Sequence, residues 1–151
     1  MTLQNYLADA TQKAATDLET ALNRVPQDKR NWKPQESSRS ALDQIAECAI
    51  LNGASADVIE NKIFPDFDFP NFQSEKDKLA ADENAALELL RQNAARVATA
   101  IRAVKDEDLE QKIAMPWGEM TLAQNIAYPN WNMTYHEGQI NYIASLLDCL
   151  K

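Results

Sequence analysis

The sequence predicts an all-α fold, a four-helix bundle formed as one domain over residues 1–151. Three observations carry this expectation. Only three glycines interrupt the chain, and the six prolines cluster in or near the gaps between periodic segments, so elements are few and long. Apolar residues recur at three- and four-residue steps in four stretches of roughly 20–30 residues each. A balance of 45% apolar to 25% charged residues belongs to a globular chain and is too apolar for disorder.

The first helix follows from Leu3, Leu7, Ala10, Ala14, Leu18, Ala21 and Val25, and Pro26 ends it. Residues 27–38, with Trp32 and Pro34, read as a connection. The second helix spans roughly Ser40 to Ile63. Ser40 and Asp43 form a capping pair at its start, and residues 41–61 contain neither Lys nor Arg. Residues 63–73 hold all four phenylalanines with Pro65 and Pro70, a spacing that breaks a regular helix. The segment reads either as a hydrophobic plug closing one end of the core or as a wall or lid of a pocket. The third helix starts near Ser74 and continues to Val104 through Leu79, Ala86, Leu87, Leu90, Ala94, Val97 and Ile101, with a solvated opposite face. Met115-Pro116-Trp117-Gly118 then makes a second loop with aromatic content, and the fourth helix runs from the capping box Thr121/Gln124 to about Cys149.

Charge excludes several functions. Fifteen basic against twenty-three acidic residues give a net charge of −8, so nucleic acid and anionic membrane surfaces repel the chain. No apolar run approaches the length of a membrane span, and the first ten residues show no basic–apolar targeting pattern. Cys48 and Cys149 lack motif spacing, which fits a reducing, cytoplasmic setting. A single histidine, His136, rules out any site that needs two histidines from one chain.

The fourth helix is unusual. At 100° per residue, Asn130, Glu137, Asn141 and Asp148 share a solvated side, while Tyr128, Ile143, Leu146 and Leu150 lie opposite, together with Asn125, Asn132, His136 and Gln139. Polar groups on an inward face must be hydrogen-bonded, hydrated or ligated, since an unpartnered one costs about 1–3 kcal/mol. Asn132 and His136, four apart, are neighbours on the helix surface and suitably spaced to share a metal ion. Between Thr121 and Leu147 the only charged residue is Glu137, so this helix is expected to be the most buried, or packed on a second copy. Pro129, inside the helix, crowds the carbonyl of Asn125 and reads either as a tolerated bend or as the companion of a site. In the second helix, Glu47 reads either as a boundary residue or as a carboxylate reaching a pocket edge.

These residues carry a resemblance. Trp32-Lys33-Pro34 precedes a serine-rich helix entry, Met115-Pro116-Trp117-Gly118-Glu119-Met120-Thr121-Leu122 precedes the fourth helix, and His136-Glu137-Gly138-Gln139-Ile140 lies within it. With them, nearly the whole chain resembles the DinB-like superfamily, which includes metal-dependent bacillithiol and mycothiol transferases. The resemblance implies a four-helix bundle, often a homodimer, in which three histidines hold a divalent metal with a position open to water or a thiol. His136 stands at the last ligand position. Asn132 replaces the first histidine of the fourth-helix pair, and Glu47 falls where the second-helix histidine would be.

Two functions follow from the resemblance. One is a metal-dependent hydrolase or thiol S-transferase acting on a small molecule, with zinc, nickel or a similar divalent metal on Glu47, Asn132 and His136. His136 and Glu47 would be its catalytic residues, with Tyr128, Tyr135, Gln139, Trp117 and the phenylalanine-rich segment 64–72 around the substrate. The other is a metal-free bundle of the same type that binds a small ligand or serves as a dimeric scaffold, its polar stripe a hydrogen-bonded core network. Which substrate or metal is involved is not written in the residues.

Overall fold

The structure, a computed structural model, describes residues 1–150. Five helices and one short hairpin form in the order α1 (Leu3–Arg24), α2 (Ala41–Asn61), α3 (Phe69–Ala80), α4 (Glu83–Ala103), β1 (Lys112–Met115), β2 (Gly118–Thr121) and α5 (Leu122–Leu146). Helices α1, α2, α4 and α5 make the bundle, and α3 packs outside against α2 and α4.

Caps set most boundaries. Thr2, Ser40, Asp68, Asp82 and Thr121 each accept a hydrogen bond from the third residue beyond, and at Thr121 the Gln124 side chain completes a reciprocal box. Asp82 is responsible for one departure from expectation. The apolar period runs without interruption from Ser74 to Val104, but Asp82 takes an extended backbone and caps a new helix, so one expected helix becomes α3 and α4. The phenylalanine segment also departs. Pro70 lies in the first turn of α3, where its missing N–H has no partner to lose, so Phe69 and Phe72 are helical. The expected loop at 115–118 is the tight end of an antiparallel hairpin, in which Met115 pairs with Gly118 and Gly118 supplies φ +128.

Side-chain pairs fix the helix directions. Arg24 donates to Asn141, so α1 and α5 run the same way; Arg91 with Glu19 and Arg102 with Asp9 make α4 antiparallel to α1. Asn93 donates to the Ala49 carbonyl and Arg96 pairs with Asp57, so α2 and α4 are parallel. Parallel neighbours need a return path, and α3 supplies it by running back along α2 until Lys76 meets Asp43. Leu18, Leu22, Ile45, Leu90, Met133 and Ile140 fill the core at one end of the bundle, and Val97, Ile101, Leu122 and Ile126 fill it at the other.

The most buried helix is α2, with 12 of 21 residues buried, against 10 of 25 in α5. The charge-poor fourth helix of the sequence, α5, instead presents Trp131, Tyr135, Tyr142 and Leu146 to the surface. Leu150, placed on the inward side by helical spacing, is also exposed. Asp82→Ala removes the cap that separates α3 from α4. It is expected to lower stability by about 1 kcal/mol, measured as a reduced urea midpoint at unchanged m-value.

Candidate functional site

His136 is 3% exposed and sits where α5 faces the first two turns of α2. Its Nδ1 faces Oε1 of Gln44 at 2.8 Å and Oε1 of Gln139 at 2.9 Å, and its Nε2 donates to Oε1 of Glu47 at 3.0 Å. The second carboxylate oxygen of Glu47 lies 2.7 Å from Nη2 of Arg39. Arg39 also donates from Nε to Asp43, whose other oxygen is 2.9 Å from the ammonium of the buried Lys76. One polar network therefore runs from α3 through α2 to α5.

This network sets the charge of Glu47. Burial alone would raise its pKa, but the His136 hydrogen bond and the Arg39 charge outweigh burial and hold it at about 2, against an ordinary 4.5. Burial, then the Glu47 charge, pushes the Tyr128 phenol up to about 12, so it stays protonated. Burial and the same carboxylate push the Cys48 thiol upward. Its sulfur accepts from Nδ2 of Asn132 at 3.7 Å.

Beside the network lies an open cleft of about 970 Å³, roofed by the connection that carries Trp32, Pro34, Ser38 and Arg39 and floored by Tyr135, Gln139, Tyr142 and Leu146 of α5. Gln139 links the two regions, since its Nε2 donates to the Tyr135 hydroxyl at 3.2 Å while its oxygen faces His136.

Of the residues singled out from the sequence, the structure brings Glu47, His136, Gln139 and Tyr135 together. Asn132 faces Cys48, and no hydrogen bond joins it to Glu47 or His136 among the described residues. Trp117 lies elsewhere: its ring packs edge-on against Phe64, 5.7 Å between centroids, beside the hairpin. From the start of α5 to His136 is fifteen residues, about 22 Å along a helix. Phe67, Phe69 and Phe72 continue that aromatic cluster, and none of the four phenylalanines lines the cleft. Arg39, Gln44, Lys76 and the pairing of Asp43 beyond its place at the helix cap are added by the structure. Arg39, Asp43 and Glu47 stand at four-residue steps, one cation followed by two acids, a spacing that points to pairing.

The donor set does not fit a divalent metal. A metal-bound imidazole presents a nitrogen lone pair, whereas Nε2 here donates to a carboxylate. A tetrahedral ion such as zinc, held by both Glu47 and His136 at about 2.0–2.2 Å, would spread their ligand atoms to about 3.4 Å, and they stand at hydrogen-bond distance, 3.0 Å. Arg39 occupies the remaining carboxylate oxygen with a positive charge. Among the described residues no group of three His, Cys, Asp or Glu side chains is placed to hold an ion.

The sequence profile of the DinB superfamily matches residues 10–140. The chain belongs to the DinB superfamily. Two solved structures from Bacillus subtilis share its fold. YfiT, described as a probable metal-dependent hydrolase with an unusual four-helix bundle topology, is 14% identical at a TM-score of 0.81, over 96% of this chain and 87% of YfiT. The DinB-like protein YjoA is 15% identical at a TM-score of 0.69, over 95% of this chain and 92% of YjoA. At these identities the likeness concerns the fold. No curated protein matches the chain.

The depressed Glu47 pKa fixes a pH dependence. A carboxylate whose folded value lies below its unfolded one contributes stability that is present above 4.5 and lost as pH falls through about 2. With the exposed edge of the pair discounted for solvent screening, Glu47→Gln is expected to cost on the order of 1–2 kcal/mol at neutral pH. Urea titrations across pH should show this gap closing between 4.5 and about 2.

Proposed function

We propose that this chain is a metal-free member of the DinB superfamily that binds a small molecule in the cleft beside the Arg39–Glu47–His136 network. The observation that carries the reading is the double engagement of Glu47, with Nε2 of His136 on one oxygen and the Arg39 guanidinium on the other. The position that would hold a metal ligand in a superfamily enzyme is filled by a carboxylate already neutralised within the protein. The open cleft, with Gln139 joining its wall to His136, supports a binding role. The free thiols Cys48 and Cys149 support a reducing, cytoplasmic setting.

The description of YfiT favours a second reading, a metal-dependent hydrolase or thiol transferase. On that reading Arg39 must swing away from Glu47, and metal occupancy must fall on acidification as protons compete for the ligand atoms. Elemental analysis of tag-free protein from metal-supplemented culture separates the two. We expect zinc, nickel and other divalent metals well below one ion per chain, and a melting temperature unchanged by EDTA. The double substitution Glu47→His with Asn132→His should acquire a chelator-sensitive ion. A stoichiometric ion in the unsubstituted protein would establish the hydrolase reading instead.

We also propose a homodimer through the part of α5 beyond the cleft, where Trp131 is 59% exposed and stacks on Tyr135. The stretch from Thr121 to Leu147 bears one charge, in a chain of net charge −8, so two copies can meet there with little repulsion. Light scattering at micromolar concentration should give twice the chain mass, and Trp131→Asp should return it to the monomer value.

A further inference from the structure

The cleft lining contains one charged side chain, Arg39, and otherwise only aromatic, aliphatic, amide and hydroxyl groups. The charge of Arg39 is already balanced. Asp43 and Glu47 both pair with it, and Lys76 supplies the second cation, so that with His136 counted as neutral the cluster holds two cations and two carboxylates. An anion entering the cleft would leave its hydration shell and meet no net positive charge, in a chain that carries −8 overall. An uncharged oxygen acceptor has less hydration to lose. The guanidinium still has Nη1 to offer it, since only Nε and Nη2 bond within the described residues, and Ser38 also lines the cleft. The remaining walls are apolar: Trp32 on the roof, Tyr142, Ile143 and Leu146 on the floor.

We propose that the cleft takes an uncharged, largely apolar small molecule. A ring or hydrocarbon body lies between Trp32 and Tyr142, and a carbonyl or hydroxyl oxygen faces Arg39 and Gln139. Aromatic walls supply area and stacking to such a body, and a few neutral polar groups orient it. This rests on the metal-free reading. A divalent ion on Glu47 would draw that carboxylate away from Arg39, release its charge and turn the same cleft toward anions.

The test uses two fluorescent probes with one aromatic framework, uncharged N-phenyl-1-naphthylamine and its sulfonated relative 8-anilinonaphthalene-1-sulfonate. Both are titrated into tag-free protein whose metal content is measured on the same batch. The uncharged probe should bind saturably, and the sulfonate at least about ten-fold more weakly, about 1.4 kcal/mol. Trp32→Ala and the surface substitution Tyr142→Asp should each weaken the uncharged probe by about ten-fold, the latter with an unchanged melting temperature, while Tyr6→Ala, at an exposed residue of α1 that does not line the cleft, should leave it unaltered. Equal or tighter binding of the sulfonate, no saturable binding of the uncharged probe, or indifference to Tyr142→Asp would overturn the proposal. In a metal-free batch any of these outcomes removes this inference alone. A stoichiometric metal in the batch removes the reading beneath it.

Discussion

A histidine ring buried between two helices needs a partner for each of its nitrogens, and meeting that need shapes much of this bundle. An unpaired nitrogen would cost about 1–3 kcal/mol, so α2 brings Gln44 and Glu47 to His136 from one face. Glu47 in turn is a carboxylate out of bulk water, and Arg39 answers it from the residue before the α2 cap. Arg39 is held by Asp43, and Asp43 by Lys76 of α3. Each step satisfies the group that the previous one left in need. The packing of α3 on α2, the approach of the 27–38 connection to α5 and the cleft between them all follow from placing these partners.

Such a network is a poor source of net stability. Desolvating paired charges offsets most of their attraction, and apolar replacements of similar volume are often neutral or better. The apolar core is supplied elsewhere, by the leucines and isoleucines of α1, α2, α4 and α5. What the network contributes is position. Gln139 is bound from both sides, by His136 and by the Tyr135 hydroxyl, so two of the cleft's polar groups are held against the helix that carries them. Arg39 is fixed through Nε and Nη2 and lines the cleft. Groups immobilised before a ligand arrives lose little freedom on binding it.

The bundle was legible because its signals are local and repeated. Three- and four-residue apolar spacing marked α1, α2, α4 and α5, and Thr121/Gln124 marked the start of α5. The split at Asp82 was not legible, because one cap in an unbroken apolar pattern changes two dihedral angles and leaves the periodicity intact. Pro70 misled because proline tells against the inside of a helix and nothing against its first turn. In α5, absence of charge does not mean burial. Its surface is aromatic instead, and neutral aromatics carry no mark that separates a core face from an exposed one. The inward direction of His136 followed from helical angle alone, whereas its partners did not. Gln44 meets it, and Arg39 reaches it only through Glu47, across a helix crossing that one helix's periodicity does not encode.

Fold and chemistry have separated in this chain. Fourteen per cent identity to YfiT is enough for a TM-score of 0.81, because bundle packing asks only for apolar residues of suitable volume at core positions. A metal centre asks for specific donors at three places, and a change at one of them alters the demand on the others. With Glu47 facing His136, a nitrogen that would have donated its lone pair to an ion donates a proton to a carboxylate instead. The surplus negative charge of Glu47 calls for a cation, and Arg39 provides one that is covalently part of the chain. Arg39 and Lys76 balance the carboxylates of Asp43 and Glu47 within the chain itself. A cleft floored by α5 then faces a guanidinium whose charge is already committed, and what such a guanidinium still offers a ligand is a hydrogen bond.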